Sequence, residues 1–99
     1  MKPFAFSTPA SEELGSAILW YETRRSGLGS EFYDAVSSTI ERIRTHPEIG
    51  TIRAGRFRHR RVQVLGFPYT VVYRVREDDI YVVAIAHSSR RPDYWKNRG

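Results

Sequence analysis

Three histidines, His46, His59 and His87, and a large excess of arginine are the residues of this chain that could do chemistry. His87 closes an apolar run, Ile85-Ala86-His87, and precedes Ser88-Ser89-Arg90-Arg91. An imidazole beside guanidinium groups could act as acid or base on a phosphodiester while the arginines hold the phosphate. The same histidine could equally be a structural residue at a strand end. His59 could titrate against a bound anion or be an exposed strand residue. His46, directly before Pro47, suits the C-terminus of a helix. No two histidines stand four apart and there is no cysteine, so neither a metal site nor a thiolate nucleophile is expected. Ser88 and Ser89 adjoin His87, yet no carboxylate is placed to orient it, which argues against a serine nucleophile. Gly27-Leu28-Gly29 has no strand before it and no lysine after it, so it is not a phosphate loop. No cofactor is implied.

The cations are unevenly placed. Apart from Lys2 and Lys96, all 16 basic residues are arginine. Residues 1–52 carry five basic and seven acidic groups, whereas residues 53–99 carry eleven and four. The second half, at net +7, calls for an anionic partner. At 99 residues, 40% of them hydrophobic, the chain suffices for one domain, 1–99, with one core. No apolar run approaches the roughly 20 residues of a membrane helix, so no membrane partner is expected. Met1-Lys2-Pro3-Phe4-Ala5-Phe6 lacks the apolar centre of a signal peptide, which makes the cytoplasm the expected location.

These side chains need elements to position them. Phe4 to Ser7 reads as a short strand. Thr8 can cap a helix, Pro9 suits its first position, and Glu12 and Glu13 suit its first turn. Leu14, Ala17, Ile18 and Tyr21 then recur at helical spacing, with Trp20 beside them. Ser26-Gly27-Leu28-Gly29 breaks the helix. A second should start near Ser30, with the stripe Phe32, Val36, Ile40 and Ile43, and end at His46-Pro47. So short a break implies an antiparallel helical hairpin. The period then falls to two, giving strands over Arg56–Leu65, Phe67–Arg76 and Asp79–His87. The expected class is α+β: β-α-α-β-β-β, with the helical hairpin packed on one face of an antiparallel sheet.

Two tight turns suggest a strand register. Pairing Arg76 with Asp79 sets Arg74 opposite Tyr81, and pairing Val64 with Phe67 sets Arg74 opposite Phe57. Alternation then gives one apolar face for the helices: Val62, Val64, Tyr69, Val71, Tyr73, Ile80, Val82, Ala84 and Ala86. The opposite face would hold Phe57, His59, Arg61, Gln63, Thr70, Val72, Arg74, Arg76, Tyr81, Val83, Ile85 and His87. Arg74 interrupts the apolar run of the expected central strand, where a charge is costly unless it is paired or used. Arg56, Arg58 and Arg60 could be functional or could serve solubility and edge protection. Tyr94 and Trp95, in a polar tail, either dock on the sheet or help to form a binding surface.

Several motifs occur together in order: Trp20-Tyr21-Glu22, Gly27-Leu28-Gly29 with Phe32, His46-Pro47-Glu48-Ile49-Gly50, Phe67-Pro68-Tyr69, Tyr73-Arg74-Val75, Val83-Ala84-Ile85-Ala86-His87, and Arg90, Pro92, Tyr94-Trp95 and Arg98. Over nearly its whole length the chain resembles the RelE/ParE superfamily of toxins from bacterial type II toxin-antitoxin, or plasmid stabilisation, systems. That resemblance implies a growth inhibitor neutralised by a cognate antitoxin. RelE-like members cut mRNA on the ribosome. There Arg61 and Arg74 would serve the phosphate and His87 or Tyr94 the proton transfers. ParE-like members instead poison DNA gyrase without that cleavage set. The ending Ala84-Ile85-Ala86-His87-Ser88-Ser89-Arg90 is closer to the ParE-like His-x-x-Arg ending, and the lysine-rich strand pattern of RelE is missing. On either branch His59, Arg61, Arg74, Arg76, Arg90 and Arg91 would face the target, gyrase or ribosome-bound mRNA. An often acidic antitoxin would meet Arg58 and Arg60, and the helix faces around Trp20 and Leu28. A non-toxic nucleic-acid-binding or interaction module is the third alternative, and a homo-oligomer stays open.

Overall fold

The computed structural model describes residues 1–99. It has strand β1 (Phe4–Phe6), helices α1 (Thr8–Arg24) and α2 (Leu28–Thr45), and strands β2 (Thr51–Ile52), β3 (Arg60–Gln63), β4 (Tyr69–Val75) and β5 (Ile80–His87). The α+β layering is as the periodicities predict. The sheet is five-stranded in the order β1-β5-β4-β3-β2, with β1 parallel to β5 and the other pairs antiparallel. It is therefore mixed, because the first strand pairs with the last.

The cap of α1 is Ser7 rather than Thr8. Ser7 is the extended residue, and its hydroxyl accepts from the Ala10 amide at 3.1 Å. Glu12 and Glu13 lie beyond the first turn. The second helix starts at Leu28, after Gly27 turns the chain at φ 90°. The Glu22 carboxylate accepts from the amides of Gly27 and Gly29 at 3.0 Å each, and these bonds hold its pKa below the usual range. Gly29 lets the helices approach: a Cβ there would come within 2.8 Å of the Ile18 carbonyl oxygen. The stripe Phe32, Val36, Ile40 and Ile43 is buried to the last residue. Phe32 meets Tyr69 at 4.8 Å between ring centroids and Tyr21 at 5.0 Å, forming the aromatic centre of the core.

Two register details move side chains. Between β3 and β4, Gln63 pairs with Thr70, and the Val64 amide donates to the Tyr69 carbonyl at 2.9 Å. The connecting turn is thus wider than Leu65-Gly66, and Phe57 lies in a loop, unpaired with Arg74. This slip is two residues, so the faces survive. Between β4 and β5 the expected pair Arg74–Tyr81 is present, but the register shifts between Val72 and Tyr73, which face Ala84 and Val82. Val83 is the extra residue of a β-bulge. Beyond it the alternation is reversed. Ile85 belongs to the helix-side core, while Ala84 and Ala86 pack on the other face with Trp95. His87 pairs with Tyr69 and crosses to the helix side with it.

That other face is not open. Residues 88–99 fold back over it, and Trp95, 5% exposed, sits against Val72, Val83, Ala84 and Ala86. The two alanines leave room for the indole. Of the two alternatives for Tyr94 and Trp95, docking on the sheet is the one observed.

Candidate functional site

The basic side chains fall into two sets, separated by the docked tail. On the helix side of β5, α1 and the strand edge enclose a cleft of about 660 Å³, lined among others by Trp20, Tyr21, Tyr69, Ile85, His87 and Arg90. Glu13 organises its floor. Its carboxylate accepts from the Ile85 amide at 3.0 Å, the Tyr94 hydroxyl at 2.8 Å and Arg98 Nη1 at 3.1 Å. Arg98 Nη1 also donates to the Val83 carbonyl at 3.0 Å. The edge of β5 beyond β1 is thus blocked by side chains from α1 and the tail. No spacing rule marks Glu13 as this hub. The available signal was an acidic residue on the half-buried flank of an amphipathic helix.

His87 sits at the mouth of that cleft. Its Nδ1 accepts from the Ser89 amide at 2.9 Å, which leaves the proton of a neutral ring on Nε2. The ring stands edge-on to Tyr69 at 4.9 Å. Tyr94 is committed elsewhere. Burial and the hydrogen bond it donates to Glu13 push its pKa well above the ordinary phenol value, so it keeps its proton at neutral pH. Arg90 lies over its ring at 4.0 Å.

On the tail side, His59 is 4% exposed, not open to a bound anion. Its Nε2 lies 2.9 Å from the Arg98 carbonyl oxygen and its ring is edge-on to Trp95 at 5.1 Å. Burial lowers its pKa, so it is a neutral core residue at pH 7. Arg61 and Arg74 do not share a site. Arg61 lines a cleft of about 210 Å³ with His87, Ser88, Arg90 and Arg91. Arg74 lines a separate one of about 420 Å³ with Arg56, Arg58 and Arg60. Arg76 is paired with Asp79 through two bonds of 2.6 Å and stacks on Tyr81 at 4.0 Å. Asp79 is held below its usual pKa by that arginine. Arg53 ties the tail down through a two-pronged ion pair with Asp93.

Trp20 is 51% exposed and carries the Arg24 guanidinium 4.2 Å from its ring centre. Leu28 is half-buried against the main core at the start of α2. Arg58 and Arg60 line the Arg74 cleft, which shares no residue with the Trp20 cleft. No three His, Asp or Glu side chains converge as metal ligands. Three members of the expected cleavage set, Arg61, His87 and Tyr94, line one cleft, with the Tyr94 hydroxyl bonded to Glu13, while Arg74 lines another.

The family model described as ParE toxin of type II toxin-antitoxin system, parDE, matches residues 4–92. Among solved structures, a chain of a chromosomal ParDE toxin-antitoxin system from P. aeruginosa is similar in fold. Its TM-score is 0.61 at 16% identity, over 88% of this chain and 96% of that one. The search of curated proteins finds no match.

Proposed function

We propose, starting from a chain that belongs to the ParE toxin family of type II toxin-antitoxin systems, that it arrests growth by binding DNA gyrase and is silenced by a cognate antitoxin. One observation carries the choice of gyrase over RNA cleavage: the groups a ribonuclease would need are apart or engaged. An RNase needs a base at the ribose 2′-hydroxyl, stabilisation of the phosphate charge and an acid for the leaving oxygen. Here Arg74 lies in a different cleft from His87, and the Tyr94 hydroxyl is committed as a hydrogen-bond donor to Glu13. Binding to an enzyme–DNA complex requires only a complementary surface. Arg61, Arg90 and Arg91 around the small cleft supply cations for it. The antitoxin docks along the Trp20 cleft, where an exposed indole and the aromatic floor offer an anchor and Arg24 and Arg90 a cationic rim.

The ribonuclease reading keeps one supporting observation, the shared cleft of His87, Arg61 and Tyr94. Expression of the chain without antitoxin separates the readings. Filamentation and a DNA-damage response with intact mRNA are expected, and His87→Ala should leave toxicity within about twofold. Cuts mapped within translated mRNA, abolished by His87→Ala, would overturn the gyrase reading. Absence of growth arrest would overturn both.

A further inference from the structure

The salt bridges of the chain engage Arg25, Arg44, Arg53, Arg76 and Arg98. Four of the other arginines, Arg56, Arg58, Arg60 and Arg74, line the cleft of about 420 Å³, where Glu48 is the only acidic side chain. Arg60 Nη1 donates to the Glu48 and Gly50 carbonyls at 3.0 Å each, and Arg74 Nη1 donates to an oxygen of the last residue, Gly99, at 2.6 Å. Arg56 and Arg74 lie 5.3 and 5.0 Å from the centre of the Phe57 ring. Arg56, Arg58 and Arg60 thus have no side-chain carboxylate bound to them. Arg58 takes φ 51°, a conformation that residues bearing a Cβ rarely adopt, within the loop that presents it. Arg74 Nε is buried and has no acceptor. Converging like charges repel.

We propose that this cleft binds the phosphodiester backbone of nucleic acid, with Arg56, Arg58, Arg60 and Arg74 as the phosphate contacts and Phe57 as the platform that orients two of them. The planar two-pronged donors of arginine match phosphate oxygens. Several cations spread along one opening suit an anion that repeats along a strand. The neighbouring edge strand β2 is only two residues long and so offers few backbone contacts to an acidic peptide. Contact with DNA would let the chain hold both halves of an enzyme–DNA complex, but the site does not depend on gyrase being the target.

The test titrates the purified chain, with no gyrase present, against labelled single-stranded DNA, duplex DNA and a poly-glutamate peptide over a range of salt. DNA is expected to bind more tightly than the peptide, and the tighter of the two DNA forms identifies the strandedness that the cleft takes. Arg56→Ser with Arg58→Ser should weaken DNA binding about tenfold and reduce the slope of log K on log salt by about 2. Arg25→Ser with Arg42→Ser removes the same charge from the helices and should change affinity by less than about twofold. Equal losses in the two double variants, no DNA binding at low salt, or tighter binding of poly-glutamate would each overturn the site.

Discussion

The two sides of the sheet use arginine in opposite ways. At the α1–β5 edge, Arg98 is locked to Glu13 and to the Val83 carbonyl, and the cluster ties helix, strand and tail together. Around Phe57, Arg56, Arg58 and Arg60 have no side-chain carboxylate bound to them, while Arg74 donates to an oxygen of the last residue, Gly99. The first set is satisfied within the chain and accounts for fold. The second is convergent and charged, with no side-chain carboxylate bound to Arg56, Arg58 or Arg60, which suits a surface that takes an anion. Net charge alone cannot make that distinction; the partner of each guanidinium does.

Variants can break or sharpen this contrast. The largest effect is expected for Trp95→Ala, which removes the anchor of the tail from Val72, Val83 and the two alanines. A loss of about 3–5 kcal/mol is expected in urea unfolding, as for other buried tryptophans. A loss below about 1 kcal/mol would mean that the tail is an ornament on an already complete sheet. Glu13→Ala should follow, at about 2 kcal/mol. It leaves the Ile85 amide and the Tyr94 hydroxyl without their acceptor and Arg98 with only the Val83 carbonyl, in a site where Glu13 and Arg98 are 16% and 26% exposed. Were the mutant as stable as the parent, the cluster would not be the fastening it is taken to be.

Next comes the pH dependence of His59. Its folded pKa lies below its unfolded value, so the unfolded chain binds the extra proton and stability rises with pH. The parent should therefore weaken as pH falls from 7 through the unfolded value of about 6.5 towards 5. His59→Gln should flatten melting temperature over that window. The depressed carboxylates Asp79, Asp93 and Glu22 contribute above their unfolded pKa and lose that contribution only in more acidic solution. An unchanged slope in His59→Gln would place the sensitivity elsewhere. The smallest change is expected for Arg76→Ala, below about 1 kcal/mol, because its pair with Asp79 is exposed to solvent.

Much of the fold can be read from the chain, and the limits have physical causes. The spacing of Phe32, Val36, Ile40 and Ile43 marks a core face because a helix repeats every 3.6 residues. The pair Arg74–Tyr81 follows from a tight turn beside it. The bulge at Val83 is invisible because Ile80, Val82, Val83, Ala84, Ile85 and Ala86 are all apolar, so no alternation records which way each side chain points. That one extra residue moves His87 to the helix side and brings Ala84 and Ala86 under Trp95. The pairing of β1 with β5 and the reach of Glu13 to Arg98 are long-range contacts, which local patterns do not encode. Arg61 and Arg74 lie on one face, as alternation implies. Their separation depends on where the tail docks, and no strand period predicts that.

The most direct measurement is gyrase supercoiling of relaxed plasmid with purified chain, run beside cleavage of ribosome-bound mRNA. The account predicts inhibited supercoiling, unaltered by His87→Ala, and intact mRNA. Unimpaired gyrase together with cut mRNA would contradict it.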